Sequence, residues 1–169
     1  EELIGLSSNR IAGRDLASCP EERGIFTSLS VRENLLLPPR IREHGGLSVP
    51  ELHSMFPNLE ERSSSQGTKL SGGEQQMLAI ARILRTGAEF LLLDEPTEGL
   101  APVIVQQIGD TIRMLRQKGF TILLVEQNFH FAAIIADRHY VVEHARVIDM
   151  IPNRDLPRNT KKLERYLGG

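Results

Sequence analysis

The chain has 169 residues, enough for one domain with a real core. Its 20 basic and 22 acidic residues give a net charge of −2 and no broad basic field, which argues against nucleic acid as a main partner. The single Cys19 excludes an internal disulfide and fits a reducing compartment, and no apolar run approaches the about 18 residues that span a bilayer.

Residues 1 to 24 are mixed, rich in charge and serine, with weak periodicity. Ser30, with Glu33 three residues on, predicts a capped short helix through Leu37, stopped by Pro38 and Pro39. Ser48 and Pro50 predict a second helix over 48–56. Ser63 to Gly67 reads as a polar linker. A helix is then expected from Glu74 to about Leu84, with Met77, Ile80, Ala81 and Leu84 on one face. Phe90 to Leu93 and Thr121 to Val125 are continuous apolar runs of strand length. Between them, residues 102–117 carry Ile104, Ile108, Ile112 and Leu115 at helical spacing. Strands alternating with helices predict an α/β fold with a parallel sheet covered on both faces. Tyr140 to Val142 and Arg146 to Ile148 predict a hairpin whose turn, Glu143-His144-Ala145, lacks the usual Gly or Asn. The polar tail from Pro152 is expected to end in a helix through Tyr166.

In sheets of this kind functional groups sit just beyond the carboxyl ends of the strands. Asp94-Glu95 ends the first apolar run and Glu126-Gln127-Asn128 the second. A carboxylate at the tip of a buried strand needs a partner, and Mg²⁺ bound to phosphates is a natural one for Asp94. Glu95 leaves in another direction and can accept a proton from an attacking water. Gln127 could orient that water or touch a phosphate, but cannot shuttle a proton; a solvated loop amide is an equal reading. Glu21 is a candidate for water-mediated contact with the metal, or simply a surface charge. Asp94 lies 18 residues beyond Gln76, in the run Leu70-Ser71-Gly72-Gly73-Glu74-Gln75-Gln76. There, two glycines open a helix, so backbone can approach a ligand while the free N–H groups and the dipole favour an anion. Ser-Gly-Gly alone is more often an ordinary turn; the flanking Leu70 and Glu74-Gln75-Gln76 favour the phosphate site. His44, His53, His130, His139 and His144 show no metal-ligand spacing.

Leu70 to Gln76 matches the signature motif, and Phe90 to Glu95 the Walker B strand, of ABC transporter ATP-binding subunits, which this chain resembles over nearly its full length. The resemblance implies a partial P-loop NTPase (RecA-like) parallel sheet with helices plus an inserted helical subdomain. It assigns 27–85 to the helical signature subdomain, 86–150 to the Walker B and switch half, and 151–169 to a C-terminal tail. Glu98-Gly99-Leu100-Ala101 falls at the D-loop of subunit communication, Gln127 at the switch position and Glu21 at the Q-loop position. Pro20 to Phe26, Leu29 to Leu35, Glu98 to Pro102, Val125 to Asn128 and Tyr166 to Gly169 resemble the branched-chain amino-acid importer group. Importers of urea or amides share this pattern.

The resemblance further implies ATP and Mg²⁺ as cofactors. Ser71, Gly72, Gly73 and Gln75 would meet a nucleotide held by a second ATP-binding subunit, in a head-to-tail pair. Glu95, Gln127, Asp94 and Glu21 would serve the subunit's own nucleotide. Transmembrane permease subunits are the implied partners, which places the protein in the cytoplasm at the inner face of the cell membrane. The segment Phe26 to Leu59 would face the permease; Leu35, Leu36 and Leu37 are expected to be core before interface. No G-x-x-x-x-G-K-[ST] loop occurs in the chain. We therefore expect part of a longer ATPase, with about 60 residues missing, no appreciable hydrolysis by this chain alone, and exposed sheet edge that favours an oligomer or poor solubility. A partner-binding module without catalysis is the alternative.

Overall fold

The computed structural model describes residues 2–41 and 45–166. His44 and the terminal Leu167-Gly168-Gly169 therefore lie outside the described residues. The chain forms two compact units that meet between Val125 and Glu126, inside the segment 86–150.

The first unit contains α1 (Ser8–Ala12), β1 (Leu16–Cys19), α2 (Val31–Leu36), α3 (Val49–Met55), α4 (Pro57–Glu61), a 3₁₀ turn (Gly67–Lys69), α5 (Gly72–Arg85), β2 (Phe90–Asp94), α6 (Pro102–Gln117) and β3 (Thr121–Val125). The strands form a parallel sheet in the order β1-β2-β3. Strand β1 was not expected: four residues of mixed polarity give almost no periodic signal. Ala17, Cys19, Leu91 and Leu93 fill one face of the sheet and are buried. The alternate face is open at Phe90, Leu123 and Val125, which are 36%, 46% and 51% exposed. The expectation of two covered faces is therefore corrected. Apolar runs signal burial, but they do not say whether anything lies against each face.

Helices α2 and α3 carry complete capping boxes, Ser30 with Glu33 and Ser48 with Glu51. Each serine oxygen accepts from the glutamate N–H, and each carboxylate accepts from the serine N–H at 2.7 and 2.8 Å. These bonds hold Glu33 and Glu51 below the usual carboxylate range, serine hydroxyl first. Leu35, Leu52, Phe56 and Leu59 are buried. Leu36 and Leu37 are about half exposed, so of the three leucines only Leu35 is core. The Ser63 to Gly67 stretch is not a loose linker. The Ser65 and Ser63 carbonyls accept from the Val31 and Arg32 N–H groups at 2.9 and 3.0 Å, satisfying donors that the start of α2 leaves free.

Helix α5 starts at Gly72, two residues before the expected position, with Ser71 as N-cap. It is buried beyond the predicted face, taking in Gln76, Leu78, Ala79 and Ile83 as well.

The second unit contains α7 (Phe129–Ile135), capped by Asn128, the hairpin β4 (Arg138–Glu143) and β5 (Arg146–Pro152), a 3₁₀ turn (Asn153–Asp155) and α8 (Leu156–Tyr166). Its core is Ile151, Leu156 and Leu163, packed with Phe129, Ala133 and Val141. His144 and Ala145 turn the hairpin with φ of 47° and 59°, the left-handed backbone a two-residue turn demands even without Gly or Asn.

Candidate functional site

The strand register sets the site. Cys19 pairs with Leu93 and Asp94 with Val125, so Pro20-Glu21 and Asp94-Glu95 leave the sheet at the same end. Glu95 takes φ 43°, a left-handed conformation that costs a non-glycine residue about 1 kcal/mol or more. Its N–H donates to the Val125 carbonyl at 2.9 Å, which holds the turn. Asp94 is the last residue of β2 and Glu95 lies just outside it.

Glu98 lies close to Glu21 and pushes its carboxyl above the usual range; partial desolvation, Glu22 and Glu95 add to the effect. The structure thus brings Glu98, Glu22 and Glu95 near Glu21. Among the described residues no three His, Cys, Asp or Glu side chains form a metal cage. Asp94 and Glu21, at the same end of the sheet, suit Mg²⁺ carried in on phosphates, an ion that keeps waters and takes only one or two carboxylates from the protein.

The signature turn is built by α5. Ser71 Oγ accepts from the Glu74 N–H at 3.3 Å, and the Glu74 carboxylate accepts from the Ser71 N–H at 2.7 Å. Burial acts to raise the Glu74 carboxyl, but bonds from Ser71 and Arg62 bring it below the usual range. Arg62 Nε lies 3.5 Å from its Oε1. Ser71 is exposed and Gly72 half-buried, so the turn presents Ser71 and Gly72 outward. Gly73 is buried. A Cβ there would lie 2.9 Å from Ile104, so the missing side chain makes room for α6. A Cβ on Gly72 would meet Leu100 and Arg23 at ordinary contact distances, which sets the 98–101 turn beside the signature. In that turn Gly99 has φ 65°, and Leu100 N–H donates to the Thr97 carbonyl at 3.3 Å. Ala101 is the N-cap of α6 and offers no side-chain bond.

Gln75 faces inward to its own subunit. Its Nε2 donates to the Gly67 and Leu70 carbonyls at 3.2 and 3.3 Å, and its Oε1 accepts from Arg23 Nη1 at 3.3 Å. Gln76 is buried and donates to Cys19 Sγ at 3.6 Å. Arg82 donates to the Gly24 carbonyl and stacks over Phe26 at 4.9 Å. Arg23 was given no role from sequence, and Ile104 only a place in the apolar stripe of residues 102–117. Nothing local marks their contacts, because their partners stand tens of residues away. Gln127 belongs to the second unit, where it is exposed and its carbonyl accepts from the Phe129 N–H at 2.8 Å.

A parallel sheet with an acid pair at its carboxyl end, and a serine- and glycine-led helix start, are those of an α/β fold of the nucleotide-binding kind. Residues 4–98 match the family model described as ABC transporter. The chain belongs to this family of ATPases and carries its signature and Walker B elements. It is 43% identical over 171 residues to the high-affinity branched-chain amino acid transport ATP-binding protein BraG of Pseudomonas aeruginosa, covering all of this chain and 73% of that protein. The probable branched-chain amino acid transport ATP-binding protein LivF of Archaeoglobus fulgidus is 38% identical, covering 86% and 63%. The lipopolysaccharide export system ATP-binding protein LptB of Escherichia coli is 34% identical, covering 81% and 58%. Among solved structures, the dimeric post-hydrolysis state of the ATP-binding cassette MJ0796 bound to ADP and Pi has a TM-score of 0.74 at 22% identity, over 89% of this chain and 69% of that one. The ADP conformation of the cassette MJ1267 has a TM-score of 0.73 at 20% identity, over 100% and 74%. These two share the fold. No helix among the described residues is long and apolar enough to cross a membrane.

Proposed function

We propose that this chain is part of the ATP-hydrolysing subunit of an importer for branched-chain amino acids. The observation that carries the reading is Glu95, held in left-handed backbone immediately after Asp94 at the tip of β2. Such strain persists where the structure has a use for it. Glu95 takes the proton of the attacking water. Asp94 and Glu21 would hold a Mg²⁺, which would supply charge neutralisation on the phosphates. Gln127 orients the water or a phosphate oxygen. Ser71 and the amides of Gly72 and Gly73 contact the terminal phosphate of a nucleotide carried by a second ATP-binding subunit, and Glu98 to Ala101 relays between the two. Gln75 acts indirectly, by holding the turn.

The names of the Pseudomonas and Archaeoglobus relatives support the solute class. Permease subunits are the expected membrane partners, with the protein peripheral at the inner face of the cell membrane. Glu95→Gln in the whole protein should lower turnover by about 10²–10⁴-fold and leave ATP binding intact. Near-normal turnover would reject the role given to Glu95. Deleting the gene should abolish uptake of labelled leucine; retained uptake would reject the solute.

A further inference from the structure

Arg23 sits where stability alone would not put it. Its backbone has φ 66°, and the next residue, Gly24, has φ 59°. Its N–H closes a tight turn on the Pro20 carbonyl at 2.9 Å. Its guanidinium lies beside the first turn of α5: a Cβ on Gly72 would be 3.5 Å from Nη2 and 3.6 Å from Nη1. A cation there opposes the positive end of the helix dipole. Its Nε is buried and has no hydrogen-bond partner among the described residues. Among the described residues, the side chain to which it donates a hydrogen bond is Gln75, at 3.3 Å. Gln75 in turn grips the Gly67 and Leu70 carbonyls, the backbone that leads into Ser71. Arg23 thus fixes the amide orientation of Gln75, lines the inner side of Gly72, and belongs to the loop that carries Glu21.

We propose that Arg23 is a positioning residue for ATP hydrolysis: through Gln75 and Gly72 it sets the direction in which the Ser71–Gly73 turn meets a phosphate held by a second subunit. The proposal rests on the reading of that turn as phosphate-facing. It makes a specific demand. Loss of Arg23 should weaken the nucleotide-driven pairing of subunits, where the turn is used, and spare the subunit's own nucleotide site.

The test is ATP-driven association of the whole protein in a Glu95→Gln background, followed by analytical ultracentrifugation. Nucleotide affinity is measured in parallel at protein concentrations too low for pairing. Arg23→Ala should weaken association about tenfold, the scale of one lost charged hydrogen bond. Nucleotide affinity should stay within about twofold, with the melting temperature unchanged. Arg23→Lys should recover part of the loss, because an ammonium can still reach the Gln75 oxygen. Arg23→Ala with Gln75→Ala should lose no more than the worse single variant, since the two act in one chain. Association of Arg23→Ala equal to the parent, or losses that multiply in the double variant, would overturn the proposal. So would a joint fall of melting temperature and nucleotide affinity, the mark of a merely structural latch. Ser71→Arg is the control on the underlying reading. If it pairs normally, the phosphate-facing turn is wrong; if it fails to pair while Arg23→Ala pairs fully, only the role of Arg23 is wrong.

Discussion

Gly73 and Ile104 meet so closely that a methyl group on Gly73 would lie 2.9 Å from both Cγ1 and Cγ2 of the isoleucine. Both atoms sit on a branched carbon with little freedom to move aside. Helix α5 is thereby fitted against the first turn of α6, immediately after the 98–101 turn.

Gly73→Ala should therefore cost about 1–3 kcal/mol of stability from overpacking. Adding Ile104→Ala should return most of it by clearing the space. Denaturant titration of the two variants checks this. A neutral Gly73→Ala would mean the contact is looser than described.

Asn34 is fully buried on α2. Its Oδ1 accepts from the Phe26 N–H at 2.8 Å, and its Nδ2 donates to the Phe26, Leu29 and Ser30 carbonyls at 2.9, 3.3 and 3.0 Å. It closes the loop between the Glu21 turn and the helical segment. Asn34→Ala leaves buried backbone groups without partners and should cost about 2–4 kcal/mol. Thermal unfolding reads the loss directly.

Cys19 is 2% exposed on the covered face of the sheet. Burial pushes its thiol from 9.0 to about 11, against a lowering bond from Gln76 and the charges of Arg82 and Arg23. The folded state therefore keeps a proton that the unfolded state releases. Its contribution is fully present below about pH 9 and is lost as pH rises to about 11, an effect on the order of 2–3 kcal/mol. The stability difference between the parent and Cys19→Ala should change by that amount across this window. A difference independent of pH would contradict the burial of the thiol.

Glu95→Asn tests strain against function. Asn tolerates left-handed backbone better than Glu. The variant should gain about 0.5–1 kcal/mol in chemical denaturation and lose hydrolysis. A loss of stability above about 1 kcal/mol would mean that the Glu95 side chain contributes more to the fold than its backbone costs.

Much of the fold was legible in the chain. The Ser30–Glu33 box could be read because its partners stand three residues apart, and the start of α3 because Ser48 and Pro50 mark it locally. Strands β2 and β3 could be read because their apolar runs are uninterrupted, and helix α6 because Ile104, Ile108, Ile112 and Leu115 recur at helical spacing. The signature and the Asp94-Glu95 pair could be read because their chemistry is contiguous. Less legible were β1, too short to show a period, the left-handed His144-Ala145 turn, made by residues that rarely adopt it, and the fate of Leu36 and Leu37, whose apolar character does not say which side of a helix meets solvent.

The amino-acid order by itself determined the capped helix starts, the strand segments and the residues available for chemistry, since each depends on interactions within a few positions. Tertiary structure alone decided that Gly73 makes room for Ile104, that Arg23 holds Gln75 across 52 positions, and that one face of the sheet stays open. Those outcomes depend on which distant surfaces come together. A periodicity specifies that a face is apolar, and only packing specifies what covers it.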